Sequence, residues 1–329
     1  VPWISGFSLK FDFELWPQFP YTPRVPEPFA QLINARTRCC AVLGHPIGHS
    51  ASPAMQNAGM AALGLNWRYL AFDVRPEDLR WAIEGARRMH FIGLNLTVPH
   101  KILALEWMDH LDASARTWGA VNTIRFEGRA PGGDWRPLRD FQEPPAEVRS
   151  HGFNTDAEAI TRAIREDLGL EVAGLRVLLL GAGGAGRTAA LKLAADGVKQ
   201  LFLVNRTESK AVELAAEIHQ RHPETGVCVG YPPGAVDLVI NATSLGLGPA
   251  DPSPVDASRF DLSSAGAVFD MIYRPAETPL LKAARAGGCR AVNGLGMLLY
   301  QGVKALELWT GLPAPVEVMR RALHESIYG

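Results

Sequence analysis

The sequence predicts an α/β protein of two domains, and three observations carry that prediction. The chain has 329 residues, more than one hydrophobic core comfortably organises. Short apolar runs alternate with amphipathic stretches along most of it, as in sheets whose strands are separated by helices. A stretch rich in Pro, Gly and charge (127–150) interrupts that alternation, which restarts more cleanly at Arg176. Hydrophobic residues make up 47% of the chain and charged residues 20%, so there is enough apolar material for a sizeable core.

Residues 1–36 stand apart. Phe7, Leu9, Phe11, Phe13 and Leu15 alternate with Ser8, Lys10, Asp12 and Glu14, the period of a half-buried strand. Prolines at 17, 20, 23, 26 and 28 then read as an extended connector. A disordered start and an added edge or docking strand both fit this extension. From Cys39, CCAVLG reads as a strand, 53–63 as a helix and WRYLAFDV as a strand. Pro76 opens a helix with Glu77 and Asp78 in its first turn, where carboxylates suit the helix dipole. FIGLNLTV is a strand, 100–111 reads as helical, and AVNTIRF is a strand again. Residues 127–150 read as a long surface loop or a hairpin, and 156–168 as a helix.

In the second half RVLLLG is a nearly all-apolar strand, followed by a glycine turn and a helix to about Ala195. QLFLVN is the next strand. Thr207 stands where its hydroxyl can cap a helix over 208–219. VDLVINA and AVFDMIY are further buried strands. Thr278-Pro279 starts a helix that Gly287 ends. After Asn293 one helix runs to Trp309 and another covers about 316–327.

Bulk properties exclude several classes. The net charge is −1, so no basic excess exists to neutralise a nucleic acid. No apolar run approaches the roughly 20 residues that cross a bilayer, and no secretory pattern is evident; a cytoplasmic location is expected. Cys39, Cys40, Cys228 and Cys289 include no C-x-x-C pair and read as buried thiols of a reducing compartment. His45 and His49 share no helical face, and His219 and His222 lack a matched third ligand, so no metal is expected.

The run Gly181-Ala182-Gly183-Gly184-Ala185-Gly186 follows a strand and opens a helix. In that context Gly181 permits the tight turn, Gly183 lets a pyrophosphate approach the backbone, and Gly186 lets helix and strand pack closely. Free N–H groups at the helix start then face the phosphates. The end of the next strand selects the dinucleotide. An NAD site usually carries a carboxylate there. This chain instead has Asn205-Arg206-Thr207 with Lys210 one turn on, which would attract a 2′-phosphate. NADP is therefore expected over NAD.

Polar clusters sit at the ends of the earlier strands: Gly44-His-Pro-Ile-Gly-His-Ser50-Ala-Ser52-Pro53, Asn95-Leu-Thr97-Val-Pro-His-Lys101, Gly119-Ala-Val-Asn122 and Asn154-Thr155-Asp156. Ligands of open α/β sheets bind at the carboxyl ends of strands. Hydroxyls, amides, an amine and a carboxylate suit a small polyhydroxylated acid. Simpler roles compete for each. Ser50 and Ser52 could cap the following helix, Asn122 could close a turn, Lys101 could be solvated and Asp156 could be a cap.

Together with NATSLG (241–246), DMIYRP (270–275) and NGLGMLLYQG (293–302), these segments closely resemble the shikimate dehydrogenase family, from about residue 38 to the end. The resemblance implies a substrate domain with a mixed α/β sheet over 37–153 and 293–329. It further implies a Rossmann-like NADP-binding domain over 154–292. It gives Ser50 and Ser52 the substrate carboxylate, with Tyr273 nearby, and gives Asn95, Thr97, Asn122 and Gln301 the ring hydroxyls. Lys101 and Asp156 match the catalytic pair, and Thr243, Met271 and Gly294 fall near the nicotinamide end.

The activity so implied is the reversible reduction of 3-dehydroshikimate to shikimate, a step of aromatic amino-acid precursor synthesis. Charge forming on the ketone oxygen calls for an ammonium such as that of Lys101 to stabilise and protonate it. Related readings are a quinate or quinate/shikimate dehydrogenase using NAD, and a non-catalytic ligand sensor of the same fold. The expected partner is a small molecule, with a homodimer left open. The loop between Asn122 and Asn154 looks longer than family usage, which leaves the cleft rim in question.

Overall fold

The computed structural model describes residues 33–248 and 250–329. The alternating segment 7–15 and the prolines after it lie outside the described residues. The first sheet is mixed. Its strands are β1 (Arg38–Gly44), β2 (Trp67–Asp73), β3 (Gly93–Leu96), β4 (His110–Leu111), β5 (Thr123–Arg129), β6 (Trp135–Pro137) and β7 (Val148–Phe153), in the order β2-β1-β3-β5-β7-β4 with β6 paired to β5. β1 runs parallel to β2 and β3, whereas β5 runs antiparallel to β3, β6 and β7. Asn95 therefore lies beside Thr123, and Thr123 beside Phe153. Because β5 begins where β3 and β7 end, Thr97, Asn122 and Asn154 leave the sheet at one edge. That edge is the site.

Helices α1 (Ser52–Ala62), α2 (Leu79–Arg88), α3 (His100–Leu103) and α4 (Ala113–Trp118) connect these strands. α5 (Asp156–Leu168) then leads to the second sheet, which is wholly parallel. Its strands are β8 (Arg176–Leu180), β9 (Gln200–Val204), β10 (Gly226–Val229), β11 (Val236–Asn241), β12 (Ala265–Asp270) and β13 (Arg290–Val292), in the order β10-β9-β8-β11-β12-β13. The chain builds outward from β8 first to one side and then to the other. A crevice opens at that reversal, beyond the carboxyl ends of β8 and β11. Helices α6 (Gly184–Ala195), α7 (Glu208–Arg221) and α8 (Pro279–Ala286) belong to this half. The last two helices, α9 (Leu295–Thr310) and α10 (Val316–Tyr328), go back to the first half and pack on α1. There the buried Trp309 indole donates to the Ile124 carbonyl of β5 at 2.9 Å.

Several expectations change. Residues 100–111 are not one helix. α3 gives way to a 3-10 turn over Ala104–Trp107, and the chain then extends into β4 beside β7. The Asp109 carboxylate, which accepts from the Ser150 amide (2.7 Å) and hydroxyl (2.9 Å), holds it extended there. Residues 127–150 are not a plain surface loop. β5 continues to Arg129 and β6 folds back on it, the hairpin alternative. The connection after β5 leaves that strand at the end away from the cleft edge, about 20 Å off for six residues of strand.

Pro76 opens a 3-10 turn (Pro76–Asp78) ahead of α2 rather than an α-helix. Thr207 occupies the cap position of α7 but makes no side-chain cap bond. Cys40 and Cys289 are buried as expected, while Cys228 is exposed on the edge strand β10 and Cys39 is half-buried. Among the described residues no helix is long and apolar enough to cross a membrane.

Candidate active site

Lys101 stands on the first turn of α3 and Asp156 on the first turn of α5, where a carboxylate faces the positive end of the helix. Lys101 Nζ donates to Asp156 Oδ2 at 2.8 Å. The two side chains are 32% and 13% exposed, wet enough to be reached and dry enough to be held. Asp156 does not cap its helix. Asn154 Oδ1 does so, accepting from the amides of Asp156 (3.1 Å) and Ala157 (3.2 Å), which leaves both Asp156 oxygens for side-chain partners.

Asn122, 1% exposed, supplies the second of those partners. Its amide nitrogen donates to Asp156 Oδ1 (2.9 Å) and to Thr155 Oγ1 (2.9 Å), and its oxygen accepts from the Thr155 amide (2.8 Å). Thr155 Oγ1 in turn donates to the Gln301 carbonyl of α9 (3.1 Å). Both Asn122 amide hydrogens are thus engaged by Asp156 and Thr155, and Asn122 is not among the residues lining the cleft beside Lys101. Asn95 is held as firmly. Its nitrogen donates to the Asn122 carbonyl (3.1 Å) and Thr123 Oγ1 (2.9 Å), and its oxygen accepts from the Tyr69 hydroxyl (2.8 Å). Both Asn95 hydrogens are used, so it can offer a ligand only the remaining lone pair of Oδ1. Burial pushes the Tyr69 phenol well above its usual range, which keeps it a donor.

A cleft of about 240 Å³ joins Ser50, Ser52, Asn95, Thr97, Lys101, Asp156, Tyr273 and Gln301 with Ala185, Met271 and Gly294. Neither serine serves as a helix cap. Ala51 is the cap residue of α1 and no side chain caps that helix, although Ser50 Oγ accepts a long 3.4 Å bond from the Ser52 amide. Gln301 Nε2 donates to the Leu298 carbonyl at 2.8 Å. Burial raises the Tyr273 phenol pKa, so Tyr273 meets a ligand as a neutral hydroxyl. Gly294 is required by close approach, since a Cβ there would sit 2.1 Å from the Met271 carbonyl oxygen.

A second cavity lies in the crevice of the parallel sheet. Gly181, Gly183, Asn205, Arg206, Thr207, Lys210 and Thr243 line it. Gly181 has φ +104°, and a Cβ on Gly186 would come within 2.0 Å of the Gly181 carbonyl oxygen. At Gly183 a Cβ would meet nothing within 4 Å; it would project into open space where a pyrophosphate needs the backbone bare. Ala182 and Gly186 do not line the cavity; they shape it. The Ala182 amide donates to Asn205 Oδ1 (2.9 Å), and Asn205 Nδ2 to the Thr207 carbonyl (2.7 Å). Gly184 borders a neighbouring apolar pocket that Ala185 shares.

Among the described residues no carboxylate pairs with Arg206 or Lys210, and none stands at the end of β9. This donor set fits NADP. Arg187, by contrast, is not aimed at the cofactor. It forks onto Glu217 and reaches the Trp118 carbonyl at 3.4 Å.

The sequence reading missed several contributors. His49 and Met297 line the substrate cleft. His49 adjoins Ser50 within a segment already singled out. Beneath Thr243, Asn241 Oδ1 accepts from the Thr243 amide and hydroxyl (3.0 and 2.7 Å). Asn241 Nδ2 donates to Asp270 Oδ1 (2.9 Å), and the Thr278 hydroxyl donates to Asp270 Oδ2 (2.6 Å). Asp270 is wholly buried, and burial raises its pKa. Both residues belong to motifs quoted from the sequence. Tyr69 belongs to none, because only the tertiary fold brings it to Asn95.

Comparison with known proteins identifies the family. Residues 42–124 match the shikimate dehydrogenase substrate binding domain, 163–244 match shikimate / quinate 5-dehydrogenase, and 294–324 match the shikimate 5′-dehydrogenase C-terminal domain. Shikimate dehydrogenase (NADP(+)) of Methanopyrus kandleri is 39% identical over 302 residues, covering 90% of this chain and 98% of that protein. The crystal structure of the Thermus thermophilus shikimate 5-dehydrogenase with NADP(H) and shikimate aligns with a TM-score of 0.73 at 35% identity, covering 88% of this chain and 99% of that one. Quinate dehydrogenase of Corynebacterium glutamicum with NAD aligns at 0.73 and 32% identity, with 88% and 99% covered. With relatives this similar along nearly their whole length, and three segments matching its domain models in order, the chain belongs to the shikimate dehydrogenase family.

Proposed function

We propose that this chain interconverts 3-dehydroshikimate and shikimate with NADP, a step toward the aromatic amino acids. One observation carries the reading: the Lys101 ammonium and Asp156 carboxylate, 2.8 Å apart, border a cleft that also holds the two serine hydroxyls and the Met271–Gly294 contact. When bound, NADPH supplies a hydride to the ketone carbon. Lys101 stabilises the charge that develops on the ketone oxygen and gives it a proton. Asp156 holds that ammonium and accepts from the neighbouring ring hydroxyl, while Asn122 holds Asp156. Ser50, Ser52 and Tyr273 take the carboxylate end; Asn95, Thr97 and Gln301 take the ring hydroxyls. Thr243, Met271 and Gly294 border the nicotinamide, and the 181–186 turn the pyrophosphate, with Arg206 and Lys210 at the 2′-phosphate.

The reading divides the chain into a substrate domain of 37–153 with 293–329 and a nucleotide domain of 154–292. The packing of α10 on α1 supports that division, while α9 packs on both α1 and α5. A cytoplasmic setting suits the free thiols, and a homodimer is the assembly to test by sedimentation. A quinate dehydrogenase using NAD is the second reading, favoured by the likeness to the Corynebacterium protein. The lack of a carboxylate at 205–207 weighs against it. Specificity constants for shikimate and quinate with each cofactor, followed by reduced-nicotinamide absorbance, decide between them. Shikimate with NADP should lead; a lead for quinate with NAD rejects the proposal, and no turnover with any pair points to a ligand sensor.

A further inference from the structure

The cavity beyond the end of β9 is faced by cations from two directions. Arg206 and Lys210 come from the β9–α7 connection. A third, Arg259, comes from the long connection between β11 and β12, which also brings Pro254 and Asp256 to the same cavity. Arg259 is not placed there loosely. Its guanidinium lies 4.9 Å from the centroid of the Tyr231 ring, just after β10. The Tyr231 hydroxyl accepts from the Asp256 amide at 2.9 Å, and the amides of Arg259 and Phe260 both donate to the Asp256 carbonyl at 3.0 Å. The turn bearing Arg259 is thereby fastened to the edge of the parallel sheet. The Asp256 carboxylate is occupied by the Ser258 amide (3.0 Å) and hydroxyl (2.7 Å). Among the described residues no carboxylate lies within ion-pair distance of Arg206, Lys210 or Arg259.

Three cations without an ion-pair partner around one cavity repel one another, offset in part at Arg259 by the nearby charge of the Asp256 carboxylate, and an arrangement of this kind is relieved by a multiply charged anion. A guanidinium resting on an aromatic face keeps its planar fork oriented, which suits two-point bonding to phosphate oxygens. We propose that Arg259, seated on Tyr231, is a third arm of the clamp on the 2′-phosphate of the dinucleotide and helps set the choice of NADP over NAD. This deepens the NADP reading given above and rests on it. Discrimination is then shared between the familiar strand end and a loop remote from it in sequence.

The test is calorimetric binding of adenosine 2′,5′-bisphosphate and of adenosine 5′-monophosphate to the full chain and to Arg259→Ala, Arg259→Lys, Tyr231→Leu and Arg206→Ala. Neither probe carries a nicotinamide, so no turnover is needed. Arg259→Ala should weaken the bisphosphate roughly tenfold, the scale of one charge-assisted hydrogen bond, and leave the monophosphate unaffected. Arg259→Lys should keep part of the affinity, and Tyr231→Leu should fall between. Equal weakening of both probes by Arg259→Ala would overturn the proposal, assigning Arg259 to the adenine or ribose. So would unchanged affinity in Arg259→Ala when Arg206→Ala selectively loses the bisphosphate, a result that leaves the NADP reading standing. Equal affinity of the unaltered chain for the two probes would remove that reading as well.

Discussion

The two halves of the site treat their polar groups in opposite ways. On the substrate side the groups that support Lys101 are buried and bonded to one another. Tyr69, Asn95, Asn122, Thr155 and Asp156 form one chain of hydrogen bonds of 2.8–3.1 Å that ends on Lys101. On the cofactor side Arg206 and Lys210 are exposed and have no carboxylate partner among the described residues. The difference follows from what each half does. A proton donor must stand within a fraction of an ångström of its target, so its supports are locked. Recognition of a phosphate needs charge of the right sign and a few donors, which exposed flexible side chains supply. Changes on the locked side should therefore cost turnover, and changes on the open side should cost affinity.

The largest effect that sharpens this contrast is expected at Asn122. Asn122→Ala should lower kcat by roughly a hundredfold, the scale of a misplaced catalytic group, with a smaller change in shikimate affinity. A variant that raised KM alone would show that Asn122 touches substrate and does not act through Asp156. Next is Arg206→Ala, which should raise the KM for NADP about tenfold, less at high salt because an exposed charge is screened. Its kcat and its behaviour with NAD should hold; a fall in kcat would erase the division between the halves.

Tyr69→Phe removes one hydrogen bond to Asn95 and should cost about fivefold in kcat/KM for shikimate. The smallest effect on turnover is expected at Glu127, which is locked but remote from the cleft. It is 2% exposed. Burial alone would raise its pKa, but hydrogen bonds from His151, Arg125 and Arg149 outweigh that and hold it at about 2, against an ordinary 4.5. A carboxylate with a lowered folded pKa stabilises the fold above its unfolded pKa and loses that contribution as pH falls toward 2. Glu127→Gln should leave kcat intact. Its deficit in denaturant stability should be greatest near neutrality and close on acidification, and a deficit that grew at low pH would contradict the assignment.

What the sequence made legible follows the same physics. β8, the 181–186 turn and α6 were readable because local periodicity and glycine spacing suffice to specify them. Helix α5 was readable from its own amphipathic pattern. β4, β10 and β13 were not, being two to four residues long and held only by neighbours. The break after α3 escaped notice for the same reason, since the Asp109–Ser150 contact spans forty-one positions. Lys101 and Asp156 were singled out through motif resemblance, but the bonds from Asn122 to Asp156 and Thr155 were not foreseen, because a hydrogen-bond inventory needs coordinates. Asn241 and Asp270 lay within quoted motifs, but the bond between them crosses from β11 to β12, and Tyr69 reaches Asn95 only through the tertiary fold; neither pairing can be read from local sequence.

The central claim is that the amine of residue 101 supplies the chemistry while the surrounding locked groups hold the ligand. Lys101→Ala tests it most directly, with steady-state turnover and shikimate binding measured on the same folded preparation. The account predicts a fall in kcat of about a thousandfold, within the range of lost general acid–base catalysis, with shikimate affinity changed by far less. Turnover within a few-fold of the unaltered chain, or a loss confined to binding, would contradict it.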